Sequence, residues 1–183
     1  MLAFIVLLLA AISRLVPHTL HGVGLNFTAV GGGLLFFGSR RSPLFSLVGG
    51  AVMALTDVYL TTVVYGLPFH LGAYAVTWAW YVGVCLLGSG LLRRISTVRV
   101  GVAVLCSATS FFLLSNFMVW LTGGLYAHSA GGLLTCYQMA VPFYANDLVS
   151  TGLTAGVLFG LPVLARSLVA NWQMGTKQNQ PLG

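Results

Sequence analysis

Apolar runs separated by short basic breaks fill this chain almost from end to end, and that pattern restricts its fold more than any motif does. The runs fall at about Leu2–Val16, Asn26–Gly38, Leu44–Tyr65, Leu71–Leu92, Val100–Leu121 and Leu148–Ala170. A membrane-crossing helix needs roughly 20 apolar residues, fewer where the bilayer thins or flanking side chains snorkel. Charged residues make up 5% of the chain's 183 residues, against about 25% in soluble domains. A soluble fold of that length cannot cover its surface with so few charges, so lipid is the expected solvent. The expected architecture is all-α: a single six-helix transmembrane bundle over residues 1–170 and a polar cytoplasmic tail over residues 171–183.

Eight Lys/Arg outweigh two acids, Asp57 and Asp147, giving a net charge of +6. The basic residues stand as Arg40-Arg41, Arg93-Arg94, Arg99, Arg166 and Lys177, in or beside the breaks. They read as topology markers and not as a nucleic-acid surface. With Met1 inside, all of these face the cytoplasm, which predicts a multi-pass protein of the cell (inner) membrane with both termini cytoplasmic. Leu2–Val16 has no basic leader and no clean cleavage site before Arg14, so it reads as a retained first helix. Cys85, Cys106 and Cys136 have no metal-type spacing, and no disulfide framework follows from them.

Gly123–Asp147 is the longest connection and is expected to be an interfacial helix or a segment folding back over the bundle. Three sets of small residues recur along helix faces: Gly152, Gly156 and Gly160; Ala75, Ala79 and Gly83; Gly49-Gly50 and Ala54. Such stripes let helices approach closely. Internal packing is the plain reading, and docking of a partner helix the sharper one.

The topology gathers the polar chemistry on the outer side. His18, His21, His70 and His128 fall in the three outward connections, as does Asp147. Arg14 closes run one, and Asp57 lies in the outer half of run three. An ionisable group within a span is costly and marks function by default. Asp57 is therefore either the structural partner of Arg14, a ligand for solute, or both. Asn116 and Trp120 share a helix face, and a lipid-facing amide is unfavourable, so Asn26 and Asn116 are expected to point inward. Tyr65, Tyr74, Trp78 and Tyr81 read as an interfacial aromatic belt. The histidine spacing specifies no metal site. HExxH, GxSxG, Walker A and a strand–helix GxGxxG are all absent, so neither an enzyme nor a cofactor is expected.

Arg14–His18, Asn26–Gly31, Leu35–Gly38, Thr56-Asp57, Ser115–Leu121, Gly132–Tyr137, Pro142–Asn146 and Leu158–Gly160 together resemble the DUF6580 family of bacterial membrane proteins, to which transport is ascribed. Thr19–Leu25 stands as an insertion against that pattern, and the acid it has near Ser150-Thr151 is absent here, Asp147 lying earlier. More distantly, the chain is similar to the S components of energy-coupling-factor transporters, six-helix proteins that hold vitamins or metal ions under their outward loops. The resemblance implies a transport subunit that captures a small solute (vitamin, corrinoid or metal ion) from outside and works with an energising module. Asn26, Asp57, Asn116, Trp120, Tyr137 and Asn146 are the candidate lining. Arg14, His18, His21, His70, His128 and Asp147 are further outer-face candidates. The alternative is a non-catalytic subunit of a larger membrane complex, assembled through its Gly/Ala faces.

Overall fold

The computed structural model describes residues 1–15 and 27–164. His18, His21, Asn26, the Thr19–Leu25 insertion and the tail with Arg166 and Lys177 lie outside the described residues. Six helices and no strand occur among those described: α1 Leu2–Ser13, α2 Val30–Arg40, α3 Ser46–Tyr59, α4 Leu71–Leu91, α5 Thr97–Thr122 and α6 Ala130–Ala155. A 3-10 turn, Pro43–Phe45, leads into α3, and π-helical turns Leu60–Val64 and Gly156–Gly160 extend α3 and α6. Among the described residues, four stretches are long and apolar enough to cross a membrane: Pro43–Val64, Tyr74–Leu91, Thr97–Thr122 and Ala130–Leu164. Apolar side chains such as Leu8, Leu9, Leu55, Leu105 and Leu153 point outward, as a lipid-facing surface requires. The molecule is an all-α membrane bundle.

α1 and α2 are shorter, with 12 and 11 residues. At 1.5 Å per residue each covers roughly 17–18 Å, little more than half of a hydrocarbon core of about 30 Å. α2 lies at the centre. Every residue from Val30 to Gly38 is buried, as expected of a helix with no polar face. Its glycines explain how so many neighbours fit. A Cβ on Gly33 would come within 2.6 Å of the Ala10 methyl on α1, and one on Gly32 within 2.7 Å of Thr154 on α6. Gly38 and Gly88 form a reciprocal pair between α2 and α4. A Cβ on the first would overlap the Cys85 carbonyl, and one on the second the Leu35 carbonyl.

Polar caps order the connections. The Ser13 hydroxyl donates to the Ala10 carbonyl (2.7 Å) and accepts from the Ala29 N–H (2.9 Å), tying the end of α1 to the start of α2. Ser96 and Ser129 cap α5 and α6 by accepting from the N–H groups of Arg99 and Gly132. At the opposite end, the Arg41 guanidinium lies 4.5 Å from the Phe4 ring and Arg40 lies 5.1 Å from the Phe36 ring. This basic end and the Arg14 end are the two poles of the bundle.

The expected Gly123–Asp147 connection is mostly helix. Only Gly123–Ser129 link α5 to α6, and residues from Ala130 onward run without a break into the sixth apolar run. Pro142 sits inside α6. It removes one N–H, a loss that membrane helices tolerate when neighbours cover the freed carbonyl. Asp147 is therefore not in an outward connection. It is buried at mid-helix, 6% exposed.

The three small-residue stripes also divide. Gly49 and Gly50 pack inward against Cys85 and Val82, whereas Gly83, Gly156 and Gly160 face open space. Gly38→Ala is expected to destabilise the protein by roughly 1–3 kcal/mol or more, because the obstacle is backbone and cannot rotate away. Gly156→Ala should be nearly neutral. Thermal unfolding of both variants in mild detergent checks the contrast.

Candidate functional site

α1, α3 and α4 meet at the Arg14 end around one carboxylate. Arg14 follows the last turn of α1, and its guanidinium pairs with Asp57 Oδ1 on α3. A second guanidinium nitrogen donates to the Met53 carbonyl at 3.4 Å. From α4, Trp78 Nε1 donates to Asp57 Oδ2 (2.9 Å) and the Tyr81 hydroxyl donates to Oδ1 (3.5 Å). Asp57 is 2% exposed. An unpaired carboxylate there would be expensive, and a cation with two further donors is the arrangement that makes its burial tolerable. Arg14 also sits 5.9 Å from the Tyr81 ring centre.

Aromatic rings cover this pair. Phe69, from the α3–α4 connection, stacks on Tyr74 at 4.9 Å and 12°, and on Trp78 at 6.0 Å and 20°. The Tyr74 hydroxyl shares a 2.7 Å hydrogen bond with Thr61 Oγ1 in the π turn of α3. The result is a flat aromatic wall beside a neutralised ion pair. The chemistry it offers is stacking plus directional hydrogen bonding, without net charge.

The other sequence candidates do not join Asp57. Asn116, Trp120 and Tyr137 belong to the far half of the α5–α6 hairpin, where Cys136 and Ala140 are among the few buried side chains. Their polar groups are occupied locally. Asn116 Nδ2 donates to the Phe112 carbonyl (2.8 Å), Trp120 Nε1 to the Ala127 carbonyl (2.9 Å) and the Tyr137 hydroxyl to the Leu113 carbonyl (2.9 Å). Asn116 does line a cleft of about 460 Å³, shared with Ser115, Tyr126, Cys136 and Phe143. Asn146 is half-buried on α6, next to Asp147. His70 and His128 are exposed, and His128 stands edge-on to Trp120 at 5.6 Å. No group of three His, Cys, Asp or Glu side chains that could hold a metal occurs among the described residues.

Two sets of residues were hidden in the sequence. Trp78 and Tyr81 read as belt aromatics, yet they grip Asp57. The usable signal was their i, i+3 spacing, with Tyr74 one turn earlier on the same face. Ser107 and Thr151 gave no signal by themselves, but Thr151 lies one turn after Asp147 and both are wholly buried.

A helical bundle with lipid-facing flanks and a buried ion pair defines a polytopic α-helical membrane protein. Within that class the chain belongs to the family of unknown function DUF6580, whose profile matches residues 1–173. No curated protein and no solved structure matches it.

Removing one partner of the ion pair strands a buried charge. Asp57→Ala is expected to cost roughly 3–5 kcal/mol, and the double variant Arg14→Met with Asp57→Leu should recover most of that loss. Thermal unfolding of the two single variants and the double variant measures the coupling.

Proposed function

We propose that the chain is a membrane transport subunit that captures a small organic solute at the Arg14 end of the bundle. The observation that carries this reading is the Arg14–Asp57 pair with Trp78 and Tyr81, a fully hydrogen-bonded charged centre inside an apolar bundle. An ionisable group held at such depth is by default a candidate substrate site, because the desolvation of a buried ion pair is poorly repaid by packing alone. The stacked Phe69, Tyr74 and Trp78 favour a solute with a planar part, and the scattered described histidines favour an organic solute over a metal ion. On this reading the Arg14 end faces outward, the basic end faces the cytoplasm of the cell membrane, and an energising partner is engaged, as the sequence likeness to S components suggests.

A second reading has its own observation. The outward-facing Gly101, Gly156 and Gly160 line an apolar groove of about 640 Å³ between α5 and α6. This favours a role as a subunit seated against another membrane helix.

The first reading is tested by thermal unfolding of the detergent-purified chain against vitamins, cobalamins and divalent metals. A solute at a hundredfold excess over its Kd should stabilise the folded state by about 2.7 kcal/mol. The response should vanish in Phe69→Ala, whose ring takes no part in the ion pair. A panel with no response, from a chain that purifies only with another protein, would shift the assignment to the complex subunit.

A further inference from the structure

The chain's two acids are treated differently. Asp57 is matched by Arg14. Asp147, 6% exposed, has no ion-pair partner among the described residues, and its Oδ2 has no hydrogen bond. Two hydroxyls, those of Ser107 and Thr151, lie close by, and both residues are 0% exposed. Ser107 Oγ has no hydrogen-bond partner, and Thr151 Oγ1 has only the neighbouring Asp147 carboxylate within reach.

Most helical hydroxyls in this bundle bond back to their own helix, the usual refuge for Ser and Thr in an apolar setting. Thr56, Ser110, Ser115 and Ser150 all donate to carbonyls three or four residues earlier. Ser107 and Thr151 forgo that bond. Both turn toward the gap left by the missing side chain of Gly31. A Cβ there would overlap Thr151 Oγ1 and come within 3.2 Å of Ser107 Oγ. Asp147 lies one turn before Thr151 on the same face of α6, with its carboxylate in reach of that side chain. The contacts Gly31–Thr151 and Phe36–Phe159 show that α2 and α6 run parallel. Asp147 therefore lies near the start of α2.

We propose that Asp147, Thr151 and Ser107 form a binding site for one monovalent cation of sodium size, at the junction of α2, α5 and α6. One carboxylate balances one positive charge. Carboxylate and hydroxyl oxygens are the hard ligands that alkali and alkaline-earth ions prefer. A bound cation would satisfy the Asp147 and Ser107 oxygens that lack partners, with the Thr151 hydroxyl completing the set. The site is separate from the Arg14–Asp57 centre, and its test needs no solute.

The test uses the full chain purified in detergent, with binding of radioactive ²²Na⁺ and thermal unfolding in sodium chloride against choline chloride at equal ionic strength. The wild type should bind saturably and melt higher in sodium. Asp147→Asn should abolish both effects. Ser107→Ala discriminates further and keeps the test open if Asp147→Asn fails to fold. It deletes an unpartnered buried hydroxyl, so in choline its melting point should hold or rise. Its half-saturating sodium concentration should nevertheless increase on the order of tenfold. A wild type that binds no ²²Na⁺ and melts alike in both salts overturns the proposal, leaving Asp147 neutralised by a proton. Sodium binding unchanged in Ser107→Ala and Asp147→Asn overturns it as well, by placing the ion elsewhere.

Discussion

The architecture depends on enclosing α2, an eleven-residue helix with no face to solvent or lipid. Large side chains, Leu34–Phe37, fill its middle, while glycines at both ends admit neighbouring helices to near backbone contact. In lipid no hydrophobic drive pushes helices together, so this close packing must supply the cohesion. Each glycine also fixes a register: Gly33 against Ala10, Gly32 against Thr154, Gly38 against Cys85. Those registers decide where Arg14, Asp147 and Tyr81 come to rest. The polar geometry of the molecule follows from its apolar packing.

The shortness of α2 has a second effect. Starting at Val30 and covering only about half the membrane, it brings its first turn, whose N–H groups have no partners within the helix, deep into the bundle. Ser13 supplies one acceptor there, for the Ala29 N–H. Asp147, Thr151 and Ser107 border the same turn on its α5–α6 side. A polar layer thus forms at the level where α2 begins, with the Arg14–Asp57 centre on its α1–α3 side. Between this layer and the basic end, the core is apolar and tightly filled.

Composition and charge spacing were enough to read a six-helix bundle, and the depth of Asp57 was enough to pair it with Arg14. What the sequence obscured has physical causes. Hydropathy measures composition and not partners, so Tyr137, Gln138, Pro142 and Asn146 lowered the signal across α6 until its first half read as an interfacial or folded-back connection. Asp147, at that false boundary, then read as an outward residue when it is buried at mid-helix. Small-residue spacing marks a smooth face without saying what the face meets. Gly49-Gly50 meets α4, and Gly156 and Gly160 meet open space. Asn116 and Trp120 share a face as expected, but their N–H groups bond to nearby backbone carbonyls and neither residue joins Asp57.

The π turn Leu60–Val64 shows how α3 serves its acid. Beyond Asp57 a regular α-helix would carry the same inward face through Thr61 to Val64. The wider turn changes that face: Tyr65 N–H reaches the Leu60 carbonyl, Leu67 N–H reaches the Thr61 carbonyl, and the chain leaves the bundle with Val63 and Tyr65 exposed. Thr61 stays inward, held to Tyr74, and Gly66 takes a positive φ of 64° to complete the exit. That exit delivers Phe69 back onto Tyr74 and Trp78. An uninterrupted α3 would carry the connection away from the ion pair, so the irregular turn, not the regular helix, sets the aromatic wall over Asp57. Such turns are rare and are frequent at functional sites.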